Sequence, residues 1–221
     1  MDLELTDNVA LVTASSSGLG KASGRVLASE GANVVLNGRD QDRLDAAVEE
    51  VSAVAADTAR VVGHAGDLTD PDDIAALVER PIAEFGGLDH LVLSAGGPPS
   101  KPFLETTDEE WYEAFDLLVM SVVRTVRAAE PYLTESEHGT IVNITSASVK
   151  EAIDGLVLSN AVRMSVIGLE KTLSKELAPD IRANAVLPGT HETPRIEELV
   201  EQGVERGEYD SYETGLEEWA D

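Results

Sequence analysis

The chain has 221 residues, no cysteine and a formal net charge of −26. This length suits one α/β domain with a sizeable core, and a hydrophobic fraction of 43% excludes wholesale disorder. Without cysteine there is no disulfide framework and no thiolate metal site, and we expect no bound metal. Acidic residues outnumber Lys and Arg by 42 to 16, which disfavours sequence-independent binding to nucleic acid or to an anionic membrane.

The acid excess has two readings. An acidic surface keeps a protein soluble in high salt, where self-repulsion is screened, so the charge is typical of a salt-adapted (halophilic) host. An acidic interaction surface is the alternative. The start Met1-Asp2-Leu3-Glu4 lacks the basic and apolar stretches of a secretory signal, and the apolar runs are too short to span a bilayer. We therefore expect a cytoplasmic protein.

Short apolar runs rich in β-branched residues alternate with longer helical patterns, and such runs are typical of strands buried on both faces. The predicted strands are Asn8–Thr13, Asn33–Asn37, Arg60–His64, His90–Ser94, Thr140–Thr145 and Arg182–Leu187. The predicted helices lie near Gly20–Glu30, Gln41–Ala56, Pro71–Phe85, Asp108–Leu133 and Leu156–Leu177. This alternation predicts right-handed βαβ units and a doubly wound, three-layer α/β fold with a parallel sheet.

Two of the helices have recognisable starts, Asp70-Pro71 and Thr107-Asp108. The end of the chain differs from the rest, because residues 197–221 are rich in acids and contain Arg206 as their one basic residue. We expect one or two short amphipathic helices there, or a flap, on the same domain as residues 1–196. No seventh strand is predicted, which leaves the sixth strand at a sheet edge.

A turn of small residues, Thr13-Ala14-Ser15-Ser16-Ser17-Gly18-Leu19-Gly20, follows the first strand. Such a turn lets backbone N–H groups approach a phosphate, and the N-terminus of the next helix adds a favourable field. The spacing is not that of the GxGxxG motif, and taken alone the turn fits a simple strand–helix connection equally well.

Other strands also end in small or polar residues. Arg39 follows the second strand, where a cation can pair with a ribose 2′-phosphate, although it also fits an ordinary surface charge. Asp67 follows the third strand, Ser94-Ala95-Gly96-Gly97 the fourth, and Pro188-Gly189 the sixth. Open α/β sheets bind ligands at these carboxyl ends of their strands.

In order and spacing, these segments resemble the short-chain dehydrogenase/reductase family over roughly residues 5–195. The turn is similar to the family's TGxxxGxG motif, with Ala14 at the first glycine, and Ser94-Ala95-Gly96 is similar to its NAG motif. The run from Ile141 to Ser146 resembles the fifth strand and the active-site serine. The run from Asn184 to Gly189, followed by Thr193, resembles the NxxxPGxxxT segment near the nicotinamide.

The resemblance implies a Rossmann-like fold and a dinucleotide cofactor in residues 1–196. Arg39 matches family members that prefer NADP, with NAD as the alternative. The cofactor-binding residues that it implies are Thr13, Ser15, Ser17, Gly18, Leu19, Gly20, Arg39, Asp67, Leu68, Ala95, Gly96, Pro188, Gly189 and Thr193.

The resemblance breaks at the family's catalytic tetrad of Asn, Ser, Tyr and Lys. Ser146 matches the serine, but Ser159 and Arg163 stand at the Tyr and Lys positions, and Leu118 aligns with the Asn. A serine hydroxyl is a poor proton donor unless it is activated, and arginine keeps the charge without shuttling protons. Ser159 and Arg163 are four residues apart and share a helix face. We therefore expect Ser146 and Ser159 to hold the substrate oxygen together. Arg163 replaces the supporting cation, and its donors could hold the hydroxyls of the nicotinamide ribose.

The missing proton has three candidate sources: Lys150, His191, or water relayed through Ser146. Lys150 and His191 also fit ordinary loop residues.

We predict an NADP-dependent oxidoreductase that acts on a small carbonyl/alcohol pair, similar to 3-oxoacyl carrier-protein reductases. The alternatives are a catalytically silent dinucleotide sensor or scaffold, and a chain that folds but binds cofactor poorly. A stripe of small residues, Ala161, Ser165 and Gly168, lies on the Leu156–Leu177 helix. Since family members commonly pair through this helix, the stripe predicts a homodimer or homotetramer, although it could also pack within one subunit.

Overall fold

The computed structural model describes residues 3–220. Residues 1 and 2 of the predicted domain 1–196, and residue 221 of the predicted acidic segment 197–221, lie outside the described residues. A single sheet of six parallel strands has the order β3-β2-β1-β4-β5-β6. Its strands are β1 (Val9–Val12), β2 (Asn33–Gly38), β3 (Val61–Ala65), β4 (His90–Leu93), β5 (Thr140–Ile144) and β6 (Arg182–Val186). The predicted Rossmann-like fold and all six predicted strands are confirmed.

Eight α-helices accompany the sheet within the described part of the chain. They are α1 (Gly18–Ser29), α2 (Gln41–Ser52), α3 (Pro71–Phe85), α4 (Asp108–Phe115), α5 (Ser121–Glu135), α6 (Val157–Glu176), α7 (Pro194–Glu205) and α8 (Tyr212–Ala220). The predicted helix over residues 108–133 is divided, because a wider π-helical turn, Asp116–Met120, separates α4 from α5.

Both predicted helix starts are confirmed by their capping hydrogen bonds. The side chain of Asp70 accepts from the N–H groups of Asp72 and Asp73, at 2.8 and 3.3 Å. At the start of α4, Thr107 Oγ1 accepts from the Glu110 N–H at 3.3 Å, and Glu110 accepts in return from the Thr107 N–H at 2.9 Å. These bonds satisfy N–H groups that a helix leaves without internal partners.

The core has one main cluster on each face of the sheet, because successive residues of a strand point to opposite faces. A third cluster joins α4 and the π-helical turn to α6. One face carries Leu11, Leu91 and Ile141, which pack with residues of α3 and α5. The other face carries Val12 and Leu36, which pack with residues of α1 and α2. The result is the three-layer arrangement that the alternating pattern predicted.

After β6 the chain forms the two helices α7 and α8, and within residues 3–220 no strand pairs with the outer edge of β6. Arg182 and Asn184 of this strand are exposed, and Val186 is 50% exposed. The predicted sheet edge is therefore confirmed. Over the same residues, no helix is long and apolar enough to cross a membrane, and no group of three acidic or His side chains is arranged to hold a metal ion.

Candidate active site

A single elongated crevice of about 1070 Å³ runs across the carboxyl ends of the strands. Gly18, Asp67, Ser146 and Ser159 all line it. Other predicted site residues that line it are Ser17, Leu19, Gly20, Arg39, Leu68, Ala95, Gly96, Arg163, Pro188, Gly189 and Thr193. Residues that are far apart in sequence are thus brought to one site at the reversal of strand order between β1 and β4.

The turn between β1 and α1 is shaped to approach a ligand closely. Ala14 has a φ of 45° and Gly18 a φ of 56°, both in the left-handed region. A Cβ on Gly20 would lie 2.6 Å from the carbonyl oxygen of Ala14, so only glycine allows the helix to begin so close to the turn. Ser17 caps α1 without a side-chain hydrogen bond, and the first turn carries no acid. The backbone N–H groups at this end therefore remain available to an anion.

Thr13 and Ser15 lie behind the turn and do not line the crevice. The hydroxyl of Thr13 donates to the carbonyl of Ser94 at 2.7 Å and accepts from its N–H at 2.9 Å. The hydroxyl of Ser15 donates to the carbonyl of Val12 at 2.7 Å and accepts from the Asn37 N–H at 2.9 Å. The two side chains join strand ends, and their polar atoms are buried. The cofactor-binding role of Thr13 and Ser15 stays a prediction.

One end of the crevice carries two cations, Arg39 and Arg43, beside the acids Asp40 and Asp67. Arg39 lies 3.7 Å from the carboxylate of Asp67, and Arg43 and Ser16 line the same end. Partial burial opposes ionisation of Asp67, but the hydrogen bonds from the Thr69 N–H and hydroxyl, together with Arg39, hold the pKa of Asp67 below its usual value. Asp67 therefore stays charged and holds Arg39 at the mouth of the crevice.

The other end contains the altered tetrad positions. Arg163 Nε donates to the hydroxyl oxygen of Ser159 at 3.0 Å, and one of its Nη atoms donates to the carbonyl of Gly96 at 3.3 Å. Burial, followed by repulsion from Arg195, lowers the pKa of Arg163 to about 10. The guanidinium therefore stays charged at neutral pH. Ser146 lies across the same crevice, and its hydroxyl oxygen accepts from the N–H of Ser148 at 3.1 Å.

The structure separates the two proton-donor candidates. Lys150 is exposed and lies outside the crevice lining, and its neighbour Glu151 lines the crevice instead. The position of Lys150 does not support the catalytic role predicted for it. His191 does line the crevice. Its Nδ1 lies 3.0 Å from the carbonyl oxygen of Gly189, and because a carbonyl only accepts, Nδ1 must carry the hydrogen of that bond. The Nε2 atom of a neutral His191 is then free to accept a hydrogen bond.

Leu118, at the position of the tetrad Asn, is 2% exposed and lies in the π-helical turn. It lines a second, much smaller cavity together with Asn143 and Arg163, behind the main crevice. An apolar side chain here supplies no hydrogen bond, so the polar connection that an asparagine would make from this turn is absent.

The C-terminal helices form a wall of the crevice that the sequence analysis did not predict. Arg195, Glu198 and Trp219 line the crevice, and the guanidinium of Arg195 pairs with Glu198 at 2.8 Å. Arg206 ties this segment down, since it donates to the carbonyl and hydroxyl oxygens of Ser100 at 3.1 and 3.2 Å. The acidic segment is therefore part of the candidate site.

The profile of the short chain dehydrogenase family matches residues 8–203. The chain belongs to the short-chain dehydrogenase/reductase family. It is 33% identical over 212 residues to the uncharacterized oxidoreductase YvrD of Bacillus subtilis, covering 96% of this chain and 79% of that protein. It is 32% identical over 204 residues to the 3-oxoacyl-[acyl-carrier-protein] reductase FabG of Thermotoga maritima, covering 92% and 82%.

Solved structures of the family are similar in fold as well as in sequence. L-sorbose reductase from Gluconobacter frateurii, in complex with NADPH and L-sorbose, superposes with a TM-score of 0.86 at 32% identity, over 91% of this chain and 76% of that one. A variant of actinorhodin polyketide ketoreductase with NADPH superposes with a TM-score of 0.85 at 30% identity, over 96% and 81%.

Proposed function

We propose that this member of the short-chain dehydrogenase/reductase family is an NADP-dependent oxidoreductase that interconverts a small carbonyl compound and its alcohol. The observation that carries the proposal is the single crevice, which joins the turn before α1 to Ser146, Ser159 and Arg163. The two NADPH-containing structural relatives and the similarity to a 3-oxoacyl reductase support it.

The residues of the crevice fit a dinucleotide phosphate. Because residue 20 is a glycine, no side chain blocks the turn before α1. The free N–H groups at the start of α1 suit a pyrophosphate. Arg39 and Arg43 place two cations at the same end, as a 2′-phosphate requires, so NADP is preferred over NAD in this proposal.

The reaction is a reversible reduction in which carbonyl, NADPH and a proton give alcohol and NADP⁺. The cofactor supplies the hydride. Ser146 and Ser159 donate hydrogen bonds to the carbonyl oxygen, where negative charge develops. Because Ser159 Oγ accepts a hydrogen bond from Arg163, its own hydrogen is left to point at the substrate. Solvent delivers the proton to the new alkoxide, directly or through His191, whose Nε2 takes a proton from solvent before it donates one. Lys150 has no part in this step.

The same proposal includes a homodimer or homotetramer through α6. Ala161, Ser165 and Gly168 are exposed, Met164 beside them is 50% exposed, and a Cβ on Gly168 would meet nothing within 4 Å. The stripe is therefore not packed inside the described chain. A cytoplasmic location and the division into residues 1–196 and an acidic segment, 197–221, stay predictions.

The test combines cofactor binding with turnover. We expect NADPH fluorescence titration to show binding, and NADPH oxidation with a panel of small ketones to fall at least 100-fold in Ser146→Ala, since hydroxyl donors at a developing oxyanion contribute about that much. Lys150→Gln, at an exposed residue outside the crevice, is the control and should keep wild-type rates. Undetectable NADPH binding would overturn the proposal.

A catalytically silent dinucleotide sensor or scaffold is the second candidate, favoured by the replacement of three tetrad positions by Leu118, Ser159 and Arg163. It predicts NADPH binding without oxidation by any carbonyl. The double substitution Ser159→Tyr with Arg163→Lys distinguishes the two, because an altered reductase should gain activity when the phenol and amine return. A sensor whose crevice no longer accepts substrates should stay inactive in the double variant.

A further inference from the structure

Three arginines bind one short segment of the chain, residues 96–100, which we call the strap. Each donates to a different carbonyl group of the strap: Arg163 to Gly96 at 3.3 Å, Arg195 to Pro98 at 2.5 Å and Arg206 to Ser100 at 3.1 Å. The strap follows β4, forms no regular structure and contains two prolines, which have no N–H to pair in a sheet or helix. Guanidinium groups from three places in the chain therefore satisfy alternate carbonyls of an irregular segment.

The C-terminal unit, residues 194–220, packs mainly on itself. Among the described residues, α7 and α8 pack on each other, and no other helix or strand packs extensively on either of them. The ring of Tyr209 lies between them, where a Cβ on Gly203 or Gly215 would be 2.4 or 2.7 Å from it. The buried residues of α7 belong to none of the three apolar clusters of the fold. The unit is therefore a body of its own that has to be docked on the domain.

Polar bonds to the strap dock the C-terminal unit. Within residues 3–220, the side-chain hydrogen bonds that join the unit to the rest of the fold come from Arg195 and Arg206, and its other side-chain bonds stay inside the unit. Glu208 accepts from Nε and one Nη of Arg206 at 2.9 and 2.8 Å, which orients the guanidinium. The guanidinium then donates to both the carbonyl and the hydroxyl oxygen of Ser100, a residue that is 7% exposed. Arg206 and Ser100 thus form a directed, charge-assisted contact.

The strap begins at the altered tetrad positions and ends outside the crevice. The carbonyl of Gly96 accepts from Arg163, and both residues line the crevice. Ser100 and Arg206, at the other end of the strap, do not line it. A contact outside the crevice therefore holds the far end of a segment whose near end belongs to the site.

The C-terminal unit supplies one wall of the crevice. Its apolar side chains in the lining are Ile196, Leu199 and Trp219, which we call the C-terminal wall. Arg195 lies beside this wall and against the strap, since a Cβ on Gly97 would be 2.5 Å from its Nε. Because α7 and α8 pack on each other, a change in the docking of the unit moves this wall as a whole.

We propose that Arg206 and Ser100 are a positioning pair: their contact docks the C-terminal unit on the strap and so holds the C-terminal wall against a bound substrate. This inference rests on the proposed function. Neither residue lines the crevice, so both act through the wall and neither touches the substrate. A wall held in place excludes water and keeps the substrate carbonyl in position for hydride transfer, and a displaced wall lowers the rate.

The position of the wall can be measured without turnover. The chain has two tryptophans, so Trp111→Phe leaves Trp219 in the wall as the one remaining tryptophan. In that background, Arg206→Gln and Ser100→Ala should each increase acrylamide quenching of Trp219 and reduce energy transfer from Trp219 to bound NADPH. Arg127→Gln, at an exposed arginine on α5, is the control and should change neither signal. Unchanged Trp219 fluorescence in both variants overturns the proposal.

Turnover of the ketone panel measures whether the wall matters for the reaction. We expect Arg206→Gln to lower kcat/KM about 10-fold, the value of a charge-assisted hydrogen bond, with the Kd for NADPH within about twofold of wild type. Ser100→Ala should lower kcat/KM less, because its carbonyl still accepts from Arg206. The double variant should lose little more than Arg206→Gln, since both changes break one contact. Arg206→Lys should keep part of the activity, and Arg127→Gln all of it.

Three results overturn the inference and leave the proposed function intact: Trp219 moves while kcat/KM is unchanged, the losses of the two single variants multiply in the double variant, or NADPH affinity falls as far as kcat/KM. If no carbonyl oxidises NADPH in the wild type, the proposed function fails, and acrylamide quenching decides the docking contact separately. Quenching that rises in both Arg206→Gln and Ser100→Ala supports the contact, and unchanged quenching overturns it.

Discussion

Glu170 of α6 accepts a hydrogen bond from the side-chain amide of Asn143 on β5, and both residues are buried, with 6% and 2% exposure. The other carboxyl oxygen of Glu170 has no hydrogen-bond partner. Burial raises the pKa of Glu170 to about 7, and the hydrogen bond from Asn143 only partly opposes this rise. A carboxyl group therefore titrates inside the core near neutral pH.

We predict that Glu170 makes stability fall as pH rises. Its pKa is higher in the folded chain than in the unfolded chain, so between about pH 4.5 and pH 7 the folded chain keeps a proton that the unfolded chain releases. The free energy of unfolding therefore falls as the pH rises through this range. The loss is on the order of 2–3 kcal/mol at pH 8. Glu170→Gln should therefore be more stable than wild type at pH 8 and show no advantage at pH 4.5, by urea denaturation.

Glu176→Gln, at an exposed acid near the end of the same helix, is the matched control and corrects for the change in net charge. A gain in Glu170→Gln that is equal at both pH values would contradict the buried titration.

Ala14→Gly should stabilise the protein. Ala14 has a φ of 45°, where a Cβ is disfavoured by about 1 kcal/mol relative to glycine. We expect a gain of about 1 kcal/mol in the free energy of unfolding, or roughly 2–4 °C in Tm. Ala46→Gly, in the exposed part of α2, should lose about 1 kcal/mol instead, because its backbone is helical. Equal losses in both variants would show that the turn does not hold Ala14 in this conformation.

Arg39→Gln and Arg43→Gln should each reduce the preference for NADPH over NADH. Each substitution removes one cation from the end of the crevice that we assign to the 2′-phosphate, so the ratio of the two Kd values should fall about 10-fold or more. Affinity for NADH should change little. Arg127→Gln, exposed on α5, is the control. An unchanged ratio in both crevice variants would place the 2′-phosphate elsewhere.

Gly168→Leu should convert the predicted oligomer to a monomer. The new side chain has open space in the single chain and favours the helix by up to about 1 kcal/mol, so misfolding would not explain dissociation. Light scattering after gel filtration measures the mass. Gly87→Leu adds the same side chain at another open position, in the connection between α3 and β4, and should leave the oligomer intact. A wild-type monomer, or an unchanged oligomer in Gly168→Leu, would rule out association through this stripe.

Added KCl should raise Tm, because the net charge of −26 repels itself and salt screens that repulsion beyond about 10 Å at 0.1 M. Thermal unfolding between 0.1 and 2 M KCl measures the effect, with sucrose as the uncharged comparison. A Tm that is independent of KCl would remove the case for salt adaptation.

The sheet could be predicted because its signal is local. Runs such as Val9–Val12 and Leu91–Leu93 are continuously apolar, and turn residues or charged residues bound them, so the predicted and observed strands differ by only one or two residues. The π-helical turn at Asp116–Met120 could not be predicted, since no proline or glycine marks it in the sequence.

Site residues could be predicted from the sequence where they directly follow a strand. Arg43 was missed, although its position four residues after Arg39, in the first turn of the next helix, was a usable signal. Trp219 carried no such signal, because its place in the crevice depends on the folding of α7 and α8 against the loop after β4. Thr13 and Ser15 matched a family motif, but a motif does not separate side chains that face a ligand from those that support the backbone.

The open edge of β6 has a consequence for handling this protein at high concentration. Its unpaired backbone groups can template another strand, and the negative charge of each copy opposes pairing through this edge. Salt that screens repulsion within one copy also screens the repulsion between copies. Thermal tolerance and resistance to edge-to-edge assembly should therefore respond to ionic strength in opposite directions.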